Sequence, residues 1–217
     1  MAECEEGPAH AGLIVCWART TLHREHTKRG ESIRHVPHTE SMPTILTHAL
    51  IPLAAGVALG WTRLPPKLVA AGIAAAMLPD ADVAMFKLGI EYAHDFGHRG
   101  ASHSLAFAVF CGTFAAGFAR WLKVRAVTAF LFIALSVASH PLLDMLTDGG
   151  LGVALFWPWS DARHFAPWRV IEVSPFANRF FSARGAEVLA SELRWIWVPV
   201  GVMTGLAVWL RRPHATL

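Results

Sequence analysis

The sequence predicts an all-α fold, an integral membrane helical bundle of four to five spans with a metal site at one membrane face. Three observations predict it. The chain is 54% hydrophobic and only 16% charged, whereas a soluble domain carries about a quarter charged residues. The apolar residues gather in long runs instead of amphipathic periods. The polar residues at one end of those runs are mainly His and Asp, types that are costly inside a bilayer unless they bind something.

Residues 1–41 differ from everything after them. They are mostly polar, rich in His and Arg, and without a sustained hydrophobic period. Their one apolar run, Ala11 to Ala18, follows acids instead of the basic stretch a signal peptide needs. The segment reads as a disordered extension, or as a mis-called one, since Met42 opens directly onto the first apolar run. His23, His26, His35 and His38 read as solvated tail. Residues 42–217 then form one membrane-embedded domain.

The first apolar segment runs from Ile45 to Trp61 with His48 near its start, and the second from Lys67 to Leu78, stopping at Pro79-Asp80-Ala81-Asp82. Both are short against the ~20 residues of helix that a bilayer needs. They either extend through their flanks or form a partly embedded hairpin. Asp80 and Asp82 cannot share a helical face, but a helix end can turn both towards one ion; the alternative is a solvated turn. Val83 to Gly100 reads as a loop or short surface helix carrying His98 and Arg99. Ser102 is a candidate N-cap for the third segment, Leu105 to Trp121, with His103 beside it.

The fourth segment, Ala126 to Leu146, contains Ser139-His140-Pro141-Leu142-Leu143-Asp144. His140 and Asp144 stand four apart, hence on one helical face, and Asp148 continues the stripe. An imidazole and a carboxylate on one face suit a divalent cation of the zinc or manganese type, with Asp148 a further ligand or a partner of one. The competing reading is a capping His and an Asp paired with Arg. Pro141 predicts a break near Ser139. Gly149 to Arg194 reads as a long connection whose Trp and Arg residues suit a headgroup interface, with His164 and Glu172 as weak extra ligands. A final segment runs from Trp195 to Leu210. Cys4, Cys16 and Cys111 have no paired spacing, so no disulfide framework follows, and Cys111 reads as a small hydrophobe. The net charge of +3 is too small and too scattered to argue for nucleic acid.

Alternating the direction of the segments gathers His48, Asp80, Asp82, His98, His103, His140 and Asp144 at one end of the bundle. Such a set is hard to explain as separate caps, and it predicts a joint metal site. Arg63, Lys67, Arg120, Lys123, Arg125, Arg211 and Arg212 fall at the opposite end. Basic residues in short loops favour the cytoplasm, which places the metal site on the external face. Against this, the ligand side carries Lys87, Arg99, Arg163, Arg169, Arg179, Arg184 and Arg194 over longer loops.

Thr47-His48-Ala49, Pro79-Asp80-Ala81-Asp82, His98-Arg99-Gly100-Ala101-Ser102-His103-Ser104, His140-Pro141-Leu142-Leu143-Asp144 and Phe156-Trp157-Pro158-Trp159-Ser160, in that order, resemble the YdjM-type inner-membrane metal-dependent hydrolases. The resemblance covers Met42 to about Pro167. It implies an inner (plasma) membrane location and hydrolysis of an ester or phosphoester by a metal-activated water. That family is in turn distantly similar to zinc-dependent phospholipase C and P1 nuclease, which implies zinc, although only one His-x-x-x-Asp pair is evident here. In the mechanism implied, the histidines and Asp144 hold the metal, Asp80 or Asp82 bridges or ligates, and Arg99 neutralises an anionic substrate, a lipid or phosphoester drawn from the bilayer. Two rival classes stand beside the enzyme, a divalent-cation transporter and a non-catalytic membrane protein with a structural metal site.

Overall fold

A computed structural model describes residues 41–42, 44–175 and 183–212. Most of the predicted extension, with its histidine tract, lies outside the described residues. The described part is an all-α membrane bundle of eight helices, with one two-residue antiparallel ladder, β1 (Ser41–Met42) against β2 (Ser174–Pro175). The helices are α1 (Ile45–Leu59), α2 (Pro66–Met77), α3 (Ala84–Lys87), α4 (Leu105–Gly117), α5 (Ala119–Leu122), α6 (Ala126–Asp144), α7 (Ala183–Glu192) and α8 (Val198–Leu210).

Pro66 starts α2, where its missing N–H costs nothing, and Pro79 ends it by opening a 3-10 turn, Pro79–Val83. With α3 this makes one apolar helical stretch, Pro66–Lys87. That stretch, Ala126–Asp144 and Ala183–Leu210 are long and apolar enough to cross a membrane, while α1 and α4 are shorter apolar helices. At 1.5 Å per residue the 15 residues of α1 reach only about 22 Å.

The bundle centres on α6, which packs against α2 and α4, while α1 packs against α2 and α8. Leu68, Val69, Ala108, Cys111, Phe132, Ile133 and Val137 fill the core, where Cys111 is buried and free. Close approach depends on Gly112: a Cβ there would lie 2.8 Å from the Phe130 carbonyl oxygen and 2.8 Å from Ala134 Cβ. Outward-facing apolar side chains such as Phe110, Phe114, Leu135 and Met203 are left for lipid. At the basic end Lys67 Nζ sits 5.1 Å over the Trp121 ring and Arg211 Nη2 donates to the Val57 carbonyl, so the α1–α2 turn, α5 and the end of α8 lie together.

Four expectations are corrected. The helix does not break at Ser139, because α6 runs through Pro141, whose missing N–H falls within the last two turns. It stops at Asp144, so Asp148 leaves the stripe and its Oδ1 accepts from Val173 N instead. The N-cap of α4 is Ser104, whose Oγ accepts from Phe107 N, and not Ser102. The last helix begins at Ala183, not Trp195: α7 continues through a π turn, Leu193–Trp197, into α8. Its first turns are too polar for an apolar run to register, yet they bury Val188 and Glu192.

Candidate metal centre

His48 lies in the first turn of α1, Asp80 and Asp82 in the 3-10 turn after α2, His103 in a 3-10 turn before α4, and His140 and Asp144 in the last turn of α6. His98 and Arg99 come from the tight loop between Glu91 and Ala101. That loop coils closely enough that a Cβ on Gly100 would stand 2.1 Å from the Asp95 carbonyl oxygen. Arg99 takes a left-handed backbone, φ 61°, which its N–H to Asp82 Oδ2 and its carbonyl bond from Ala154 N hold in place.

The seven predicted residues therefore meet. His48, His98, His103, His140 and Asp144 are fully buried, and Asp80 and Asp82 are 7% exposed. Three metal-spaced triads overlap among them: His48–Asp80–His140, Asp80–His98–His103 and His103–His140–Asp144.

The outer nitrogens of three rings are fixed by oxygen. His98 Nδ1 lies 2.6 Å from Asp82 Oδ1, His103 Nδ1 3.1 Å from Asp82 Oδ2, and His140 Nδ1 2.7 Å from the Ala76 carbonyl oxygen. Carboxylates and carbonyls only accept, so each Nδ1 carries the proton and each Nε2 turns inward. His140 Nε2 and His103 Nε2 stand 3.0 Å apart. Two lone pairs at that distance repel unless a proton sits between them or bound cations draw on each, and without an ion the proton belongs to His103. Burial opposes its charged form, but the adjoining carboxylates of Asp144 and Asp82 outweigh burial and raise the ring from 6.5 to about 9.

Asp80 Oδ1 lies 3.3 Å from His140 Nε2 and 3.9 Å from His103 Nε2. Asp144 Oδ1 lies 3.6 Å from His48 Nε2, and its Oδ2 3.3 Å from His103 Nε2. His48 stacks on His140 with ring centroids 3.6 Å apart. Among the described residues, both nitrogens of His48, His98 Nε2, Asp80 Oδ1 and both oxygens of Asp144 are buried without a hydrogen bond. Buried polar atoms are normally satisfied. Inward-facing nitrogens and carboxylate oxygens left over together are the donor set of a divalent cation, and the residues fit one.

Two site residues take other places than predicted. Asp82 lies behind the rings: besides His98 and His103, it accepts from Ser102 Oγ at 2.6 Å and Arg99 N at 3.2 Å. It belongs to none of the three triads. Its carboxylate is spent on orienting histidines, so the expectation of Asp82 as a ligand or bridge is revised. Arg99 is fully buried, with Nε 3.3 Å from Asp144 Oδ2 and Nη1 donating to the Gly149 carbonyl. It neutralises Asp144 instead of facing a substrate. His164 pairs by backbone with Val153, and exposed Glu172 pairs with Arg184, both away from the cluster.

Sequence reasoning missed Glu192. Fully buried, it accepts from Thr44 N at 2.6 Å, Thr44 Oγ1 at 2.5 Å and Thr47 Oγ1 at 2.7 Å, while Trp197 Nε1 donates to Thr47 Oγ1. It ties the last helix to the turn that presents His48. Its only signal was an acid four residues after Val188 on the same face.

Residues 42–214 match the family described as YdjM inner membrane protein. The chain belongs to that family. The match continues past Pro167, where the motif resemblance ended, through the terminal helix. The chain is also similar to the Escherichia coli (strain K12) inner membrane protein YbcI, 48% identical over 179 residues that cover 79% of this chain and 100% of that protein. No solved structure matches. Membership and the apolar helices agree on the inner membrane.

Proposed function

We propose that the protein is a membrane-bound hydrolase that uses a divalent metal, zinc by preference, to cleave an ester or phosphoester at the external face of the inner membrane. The observation that carries this reading is the set of buried, inward-facing nitrogens and carboxylate oxygens that have no hydrogen-bond partner in the described chain. A divalent ion bound there supplies Lewis acidity and an activated water. The chain's own residues do the rest. Asp82 fixes the tautomers of His98 and His103, and the Ala76 carbonyl fixes that of His140. Arg99 balances the charge of Asp144. Asp80, at the edge that keeps some solvent contact, is placed to ligate and to take a proton from the attacking water.

The donors are nitrogen and oxygen without sulfur, and more numerous than the four of a closed structural zinc site, which favours the enzyme over a metal staple. A transporter wants ligands near mid-bilayer, whereas these lie at helix ends. The external face rests on the basic cluster at the opposite end, and a lipid or lipid-linked phosphoester is the substrate that such a location concentrates. The test is metal analysis of the protein purified in detergent, followed by a screen of phosphoester and ester substrates with and without chelator. Bound metal with turnover that the chelator abolishes is expected. Turnover unaffected by metal removal, or undiminished in the His140→Ala variant, sinks the proposal.

A further inference from the structure

The three triads do not describe one coordination sphere. His48 belongs only to the triad with Asp80 and His140, His98 only to the triad with Asp80 and His103, and no triad holds both. Ligands of one ion, each at about 2.0–2.2 Å, stand no more than about 4.4 Å apart, so the extreme histidines of the cluster serve different positions. The carboxylates lie between those positions. Asp80 Oδ1 approaches His140 on one side and His103 on the other, at 3.3 and 3.9 Å. Asp144 turns Oδ1 to His48 at 3.6 Å and Oδ2 to His103 at 3.3 Å. Each side thus has two histidines, and each shares two carboxylates.

Asp80 and Asp144 are both buried, and the buried Arg99 side chain lies against Asp144. Asp82 is separately engaged by His98, Ser102 and the Arg99 amide. Two imidazole nitrogens and carboxylate oxygen at each position make the N/O donor set that a divalent ion takes.

We infer that the centre is binuclear: His48 and His140 hold one divalent ion, His98 and His103 hold a second, and Asp80 and Asp144 are shared between them. This rests on the metal-centre reading above but not on hydrolysis.

The test uses Zn2+ and Mn2+ alone with the full chain in detergent. Equilibrium dialysis and elemental analysis should give about two ions per chain. His48→Ala and His98→Ala should each retain about one, and the double variant none, with gel-filtration profiles unchanged. Loaded with Mn2+, the wild type should show the exchange-coupled electron paramagnetic resonance signal of carboxylate-bridged ions, and each single variant the six-line signal of an isolated one. The Mn2+ spectrum of the wild type decides the question if a variant does not fold. One ion per chain with an isolated-ion spectrum overturns the binuclear inference and leaves a mononuclear centre standing. No bound metal in the wild type overturns the metal reading itself.

Discussion

Asp82 separates orienting from ligating. Replacing it with Asn keeps the size and one acceptor oxygen but puts an NH2 group where the other oxygen stood. The native carboxylate serves His98 Nδ1 through Oδ1 at 2.6 Å and His103 Nδ1 through Oδ2 at 3.1 Å. One ring must then face a donor, and it can do so only as the tautomer that carries its proton on the inward Nε2, which removes the lone pair a metal needs. Loss of such an orienting partner costs about 10–100-fold in metal affinity, or about 1.4–2.8 kcal/mol at 1.4 kcal/mol per decade. The assay is Zn2+ competition against a chromophoric chelator in detergent, with Asp80→Asn alongside. Asp82→Asn should keep the wild-type number of ions with a higher Kd, whereas Asp80→Asn should lose ions. An unchanged Kd for Asp82→Asn refutes the orienting role, and a loss of ions equal to that of Asp80→Asn makes Asp82 a ligand.

Four further outcomes are expected. Because the His103 ring is raised to about 9 in the metal-free chain, metal must displace its proton below that pH; affinity should rise by up to about tenfold per pH unit between pH 7 and 9 and level off above, and a flat profile in the same chelator competition contradicts this. Glu192→Ala strands three buried donors at the start of α1 and should cost about 3 kcal/mol or more, read as a lower thermal midpoint, with Glu192→Gln recovering part; an unchanged midpoint refutes the strut. A chain beginning at Met42 should insert and bind metal as the full chain does, and failure to fold makes the preceding residues structural. With Cys4, Cys16 and Cys111 replaced, an impermeant thiol reagent on intact cells should label a cysteine at Ala162 and not one at the C-terminus; the reverse pattern moves the site to the cytoplasmic face.

Much of the centre was legible in the sequence. Long apolar runs fix helices because a bilayer offers backbone groups no other partners. Alternating their direction suffices to bring His48, Asp80, His103, His140 and Asp144 to one end, and residues four apart on α6 share a face whatever surrounds them. What each polar group does there was not legible, because it depends on which atoms face each other across chain separations that no periodicity spans. The loop from Glu91 to Ala101 carries Arg99 inward onto Asp144 and not outward to solvent. Asp82 and Asp80, two residues apart, diverge in role because a 3-10 turn sends one carboxylate behind the histidines and the other among them. Glu192 is buried only because α7 and α8 lean on the first turn of α1. Composition and spacing determine which residues gather. The rotation of each side chain about its own helix end or loop, set by packing from distant segments, decides which of them offer a free lone pair.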